Sequence, residues 1–161
     1  MGPTMNRFLA IILLVGLTLL PGTGMAADPG KTDFTPEQQA VIDAVKNGPV
    51  GIESDFDAWA DGYARDWTYW RLGAKETRPR GTHMALVRDF VEAGNRVTGF
   101  ELEPVDVVIR GDIAMLRLIA TETFVSTAGE TSAVRYASAS MLTREEGRWK
   151  VLATNILYLD D

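Results

Sequence analysis

His83 is the only side chain in this sequence whose ordinary pKa lies near neutrality. It follows the basic stretch Lys75, Arg78 and Arg80, and general acid/base work is one role open to it. The other is a neutral imidazole facing water at a helix start, the commoner arrangement, since a helix N-terminus disfavours a cation. Tyr69 is its natural partner in catalysis, because a phenol can donate to a developing oxyanion. Around it stand Trp59, Tyr63, Trp67 and Trp70, which hold three of the 4 tryptophans. Their flat faces could wall a site for a planar or apolar molecule, and their alternative is plain core packing, preferred for Trp59 and Trp67.

Two polar residues of the C-terminal half complete the ligand-binding candidates. Arg135 alternates with Ala133, Ala137, Ala139 and Met141, so a guanidinium would have room for an anionic group. Its alternative is an ion pair with Glu122 across a hairpin. Asn155 shares its alternation with Trp149, Val151 and Ala153 and can orient a ligand or water without acting as a base. Asp57, Asp61 and Asp66 do not form an acid pair: the first two are four apart on a helix and solvated, and Asp66 shapes a turn. With 0 cysteines and 1 histidine, thiolate chemistry, iron–sulfur ligation and two-histidine metal sites are excluded, and no metal or cofactor is expected.

Apolar periodicity indicates the elements that must hold these side chains. Thr35-Pro36-Glu37-Gln38 is a capping box with proline at the first helical turn, followed by Ala40, Val41, Ala44 and Val45 and stopped by Asn47-Gly48-Pro49. A second helix starts near Ser54 or Asp55 with Phe56, Trp59 and Tyr63 as its stripe, and Asp66 to Leu72 reads as a strand. Gly73 to Gly81 is a loop into a third helix carrying Met84, Val87, Phe90 and Val91, closed by Gly94-Asn95. The period then changes to two in the runs Val97 to Arg110, Ile113 to Ser126, Ser132 to Thr143 and Arg148 to Tyr158. Helices followed by an antiparallel meander give the α+β class. Arg110-Gly111-Asp112 supplies turn residues rather than an adhesion motif, and Gly22 to Gly24 lacks the Gly-Lys-Ser/Thr of a phosphate loop.

Asp55-Phe56-Asp57-Ala58-Trp59 through Tyr63-Ala64-Arg65-Asp66-Trp67-Thr68-Tyr69-Trp70 resembles the helix-to-strand step of nuclear-transport-factor-2-like, or SnoaL-like, proteins of cystatin-like fold. Gly147-Arg148-Trp149-Lys150-Val151 is similar to their final hairpin. The resemblance spans Thr35 to Tyr158 and implies N-terminal helices packed in the concave face of a curved, mostly antiparallel sheet, a cone-shaped α+β barrel open at one end. It also implies that Asn155 takes a last-strand position that often holds a polar pocket residue. Relatives include ketosteroid isomerase, scytalone dehydratase, limonene epoxide hydrolase and polyketide cyclases, beside members that only bind or associate.

The N-terminus bears on location. Arg7, the 13-residue apolar run Phe8 to Leu20 and the small residues Gly24 and Ala26 form the three parts of a signal peptide over residues 1–26, and a bilayer span would need about 20 residues. Residues 27–34 read as a flexible lead-in and 35–161 as a single domain. Without Arg7 the exported chain keeps 15 basic against 22 acidic residues, net −7, which argues against nucleic acid as a partner. The expected location is periplasmic or secreted, with no membrane attachment after cleavage. Both faces of the strand runs are apolar, as in Ala114, Leu116, Leu118 and Ala120 against Ile113, Met115 and Ile119, and helices can cover only one face in so short a chain. A homodimer through the sheet is the expectation. Three functions follow: a cone holding a small, largely apolar ligand; a cofactor-free isomerase, dehydratase or cyclase using His83 or a carboxylate with Tyr69; or an association module with a filled cone. A cavity of roughly 300 Å³ or more with convergent polar groups separates the first two from the third, and a buried acid or His83 within hydrogen-bond reach of the cavity favours the enzyme.

Overall fold

The computed structural model describes residues 33–159. The expectations for the signal peptide and for the lead-in up to residue 32 therefore lie outside the described residues. Phe34 is half-buried against the core just before the first helix, so the domain's packing begins inside the expected lead-in.

Helix α1 spans Pro36–Asp43, α2 Phe56–Asp61 and α3 Arg80–Glu92. The strands are β1 Tyr63–Arg71, β2 Arg78–Pro79, β3 Arg96–Arg110, β4 Ile113–Val125, β5 Thr131–Glu145 and β6 Arg148–Tyr158. They form one curved, six-stranded sheet in the order β2-β1-β6-β5-β4-β3. All neighbours are antiparallel except β1 and β6, so the sheet is mixed, and it is open rather than a closed barrel. Helices packed on one face of a curved sheet are the architecture expected.

The capping box of α1 is complete. Thr35 Oγ1 accepts from the Gln38 N–H at 3.3 Å, and the Thr35 N–H donates to Gln38 Oε1 at 2.9 Å. The same Gln38 then donates through Nε2 to the Val107 carbonyl at 2.8 Å, pinning the helix to β3. Val41 and Ile42 are the side chains it buries. The helix is shorter than its periodicity predicts: after Asp43 the chain continues in successive i to i−3 turns through Ser54, with Gly48 and Gly51 at positive φ. Tyr63, placed on the stripe of α2 by spacing, instead opens β1, because Gly62 caps the helix after one and a half turns. The loop expected at Gly73 to Gly81 contains the two-residue β2, paired with Thr68 and Tyr69 of β1.

One face of the sheet is the core. Ala114, Leu116, Leu118 and Ala120 of β4 and Leu142 of β5 are buried there against Val41, Ile42, Ala60, Trp67 and Met84. Trp67 is nearly enclosed, and its indole N–H donates to Thr154 Oγ1 of β6 at 3.0 Å. Ile113, Met115, Arg117, Ile119 and Thr121 alternate onto the opposite face, which no helix of the described residues covers.

Candidate functional site

A cavity of about 430 Å³ lies between the core face of the sheet and the turns that follow α1. Its roof is the segment from Asp43 to Ile52, in which Gly48 sits so close to the Phe100 ring that a Cβ there would lie 2.5 Å from a ring carbon. Trp59 of α2 and Tyr63 of β1 form one wall, their ring centroids 5.1 Å apart edge to face. The sheet supplies the floor: Phe100 of β3, Leu118 and Glu122 of β4, Tyr136, Ser138 and Ser140 of β5, and Val151 and Thr154 of β6. The cone is therefore not filled.

Strand alternation explains why polar groups converge there. Glu122 is the last of the row Leu116, Leu118, Ala120, Glu122, all on the core face at spacing two. Opposite that row, Leu116 pairs with Ser140, Leu118 with Ser138 and Ala120 with Tyr136. The Tyr136 hydroxyl donates to Glu122 Oε1 at 2.5 Å, and the Ser138 and Ser140 hydroxyls lie 3.2 Å apart. The second oxygen of Glu122 has no hydrogen-bond partner among the described residues. Burial holds the Glu122 carboxyl above the usual range, opposed by the Tyr136 hydrogen bond. Burial likewise raises the Tyr136 and Tyr63 phenols, with the Glu122 charge adding to both, so they act as neutral donors. A carboxyl able to hold or release a proton and neutral phenols face one cavity.

Of the predicted site residues, Trp59 and Tyr63 line this cavity. Tyr69 and His83 form a separate aromatic stack with Trp67: the His83 ring lies 4.6 Å from Tyr69 and 5.0 Å, edge on, from Trp67. Arg78 Nη1 approaches His83 Nδ1 at 3.4 Å, and its charge adds to burial in pulling the imidazole down to about 4. His83 is thus neutral and half-buried on aromatic rings, and it does not line the cavity. The Tyr69 phenol is raised by burial and by the neighbouring Tyr158.

Trp70, Arg135 and Asn155 lie on the opposite face. Trp70 pairs in register with Asn155 and donates its indole N–H to the Ala74 carbonyl at 3.0 Å. Asn155 Nδ2 donates to the Ala139 carbonyl at 3.3 Å. The expected grouping of Asn155 with Trp149 and Val151 fails because of a β-bulge: Met141 pairs with Ala153 but Leu142 with Val151, so Leu152 is the extra residue and alternation restarts after it. Arg135 does share a face with Ala137, Ala139 and Met141, but that face is the outer one. Its expected ion pair with Glu122 is absent, since Arg135 stands opposite Thr121 while Glu122 points inward. Asp57 and Asp61 are solvated as expected, Asp61 pairing with Arg148 and Lys150 at 2.8 and 2.9 Å. Among the described residues no three His, Asp or Glu side chains are grouped to hold a metal ion.

Glu122, Tyr136, Ser138, Ser140 and Thr154 were not singled out by sequence reasoning. A signal existed in the single glutamate that interrupts the apolar row Leu116, Leu118, Ala120, Phe124 at spacing two, and in the hydroxyl row Tyr136, Ser138, Ser140 interleaved with the alanines.

No described protein family and no curated protein matches the chain. Solved structures do. A ketosteroid isomerase-like protein from Erwinia carotovora atroseptica superposes with a TM-score of 0.61 at 17% identity, covering 80% of this chain and all (100%) of its own. An NTF2-like protein with a cystatin-like fold from Novosphingobium aromaticivorans gives 0.55 at 20% identity, covering 77% and 80%. An NTF2-like protein of unknown function from Prochlorococcus marinus gives 0.62 at 10% identity, covering 80% and 96%.

Proposed function

We propose, from the premise that this chain has the nuclear-transport-factor-2-like fold, that it is an exported domain which holds a small, largely apolar molecule in its cone. The observation that carries this reading is the cavity of about 430 Å³ with Glu122, Tyr136 and Tyr63 converging on it. Aromatic and aliphatic walls supply most of the contact, and the few polar groups set orientation. Native mass spectrometry of the protein purified from its own exported fraction tests it: a retained small molecule, released on denaturation, supports the reading. An unliganded protein that also takes up nothing from a fragment screen argues for an association module instead.

A half-buried acid at the cavity favours a second reading, a cofactor-free isomerase, dehydratase or cyclase. Glu122 takes the proton-transfer role expected of His83, and Tyr136 or Tyr63 the donor role expected of Tyr69. Incubating the retained molecule with the protein in D2O checks this. Deuterium uptake that disappears in Glu122→Gln supports catalysis, and uptake unchanged in that variant rejects it.

The outer face supports a homodimer. Leu72, Val105, Val108, Ile113 and Leu157 are each at least 40% exposed, and a shallow apolar groove of about 350 Å³ runs past Trp70, Ile119, Ala137 and Leu157. A second copy laid on this face removes that surface from water. Light scattering at micromolar concentration should give twice the chain mass, and a single-chain mass would rule the dimer out.

A further inference from the structure

We propose that the molecule held in the cone is a small organic cation, a protonated amine or quaternary ammonium, with its charge on the Glu122 carboxylate and its substituents against the surrounding rings. This rests on the ligand-binding reading of the cavity and adds the class of ligand.

The charges of the lining are of one sign. Asp43, Asp55 and Glu122 are its ionisable carboxyls, and among the described residues no lysine, arginine or histidine lines the cavity. The two aspartates have local partners: Asp43 of the roof pairs with Lys46 at 3.1 Å, and Asp55 accepts the Ala58 N–H at 3.0 Å as the cap of α2. Glu122 has only the Tyr136 hydroxyl, on one oxygen. Glu122 is half-buried with no counter-ion among the described residues, so a ligand that closes over it takes the carboxylate out of water at a cost that only a positive charge offsets. An anion would add repulsion, and a neutral apolar molecule would leave the second oxygen unanswered.

The rings complete the recognition. Phe100 stands directly opposite Glu122 in the β3–β4 register, Tyr136 is hydrogen-bonded to it, and Trp59 and Tyr63 face it across the cavity. Aromatic faces around one carboxylate are the arrangement that binds ammonium groups, through ring quadrupoles and a single opposite charge. A long-range contribution has the same sign, since the chain carries net charge −6.

Proton linkage gives a second signature. Cation binding drives Glu122 to its ionised form, so affinity rises with pH through the raised Glu122 range. The other titratable groups facing it are Tyr136 on β5 and Tyr63 on β1, both neutral donors, with Asp43 at the roof and Asp55 at the cap of α2; β3 and β6 present Phe100, Val151 and Thr154, and α2 presents Trp59.

Titration calorimetry with 2-phenylethylammonium, 2-phenylethanol and 3-phenylpropionate, near-isosteric probes of charge +1, 0 and −1, tests the inference. At pH 7.5 the ammonium should bind at least about tenfold tighter than the alcohol, with the carboxylate weakest. The preference should shrink at pH 4.5 and vanish in Glu122→Gln, while the alcohol's affinity stays within about threefold. If that variant does not fold, the three probes on the unaltered protein decide alone. An alcohol that binds as well as the ammonium overturns the cationic ligand and leaves the ligand-binding cone standing. Failure of all three to bind overturns both.

Discussion

The two faces of β4 and β5 are almost equally apolar in sequence and opposite in fate. Leu116, Leu118 and Ala120 face Ser140, Ser138 and Tyr136 on the inner side; Met115, Ile119 and Arg117 face Met141, Ala137 and Ala139 on the outer. The inner row is enclosed by α1, α2 and Trp67, and where the helices stop short of the sheet a cavity opens around Glu122. Among the described residues no helix covers the outer row, which offers a shallow groove. Hydrophobicity alone does not distinguish a face that packs from a face left exposed; only the element laid over it does.

The sharpest way to break this comparison is Leu157→Asp. A charge on the outer face should convert a dimer to monomers in light scattering while leaving the circular dichroism spectrum intact, because Leu157 is 46% exposed. A variant that unfolds instead would show the outer face to be part of the fold. Next in size is Leu116→Ala, which empties a fully buried position and should cost about 2–5 kcal/mol in denaturant unfolding. Ile119→Ala, three residues away on the other face, should cost far less at low protein concentration and more at high, the signature of burial by a second copy.

Gly48→Ala tests the roof of the cavity. The added Cβ would strike the Phe100 ring at a backbone φ of +48°, so a loss of about 1–3 kcal/mol is expected, with part recovered by Phe100→Leu. Thr154→Val keeps shape but leaves the Trp67 indole N–H unpaired, and should cost about 1–2 kcal/mol in the same assay.

The smallest effects are in pH dependence, and the two ionisable groups differ in sign. His83, pulled down to about 4, contributes stability that is complete above its ordinary value of 6.5 and is lost as pH falls towards 4. Its replacement by asparagine should flatten the fall between pH 6.5 and 4. Glu122, raised by burial, contributes stability below its ordinary value that is lost as pH rises. Glu122→Gln should therefore gain stability relative to the natural protein between pH 4.5 and 7.5, read from denaturation midpoints at both values.

Local chemistry was legible along the chain. The capping box at Thr35 and Gln38, the cap at Asp55 and the hairpin turn at Gly111-Asp112 each depend on residues a few positions apart, so they were readable without knowing the fold. The four long strands follow from alternation and agree with the structure to within about two residues. The resemblance of the Asp55 to Trp70 segment and of Gly147 to Val151 carried the fold class as well.

The functional residues were legible only in part. Trp59 and Tyr63 line the cavity, whereas His83 and Tyr69, chosen for their chemistry, stack on Trp67 elsewhere. Arg135 and Asn155 show why. Each residue's alternation partners can be counted, but a period of two does not say which side is inside, and one bulge at Leu152 reverses the assignment of everything after it. Helix length matters in the same way: α1 ends at Asp43 and the turns to Ser54 leave the space that became the cavity. Sequence by itself determined the elements, the class of fold and two apolar faces, because propensity, capping and alternation act between near neighbours. Tertiary structure alone decided which face closes over Glu122 and Tyr136, because that depends on where short helices stop across a sheet assembled from residues far apart in the chain.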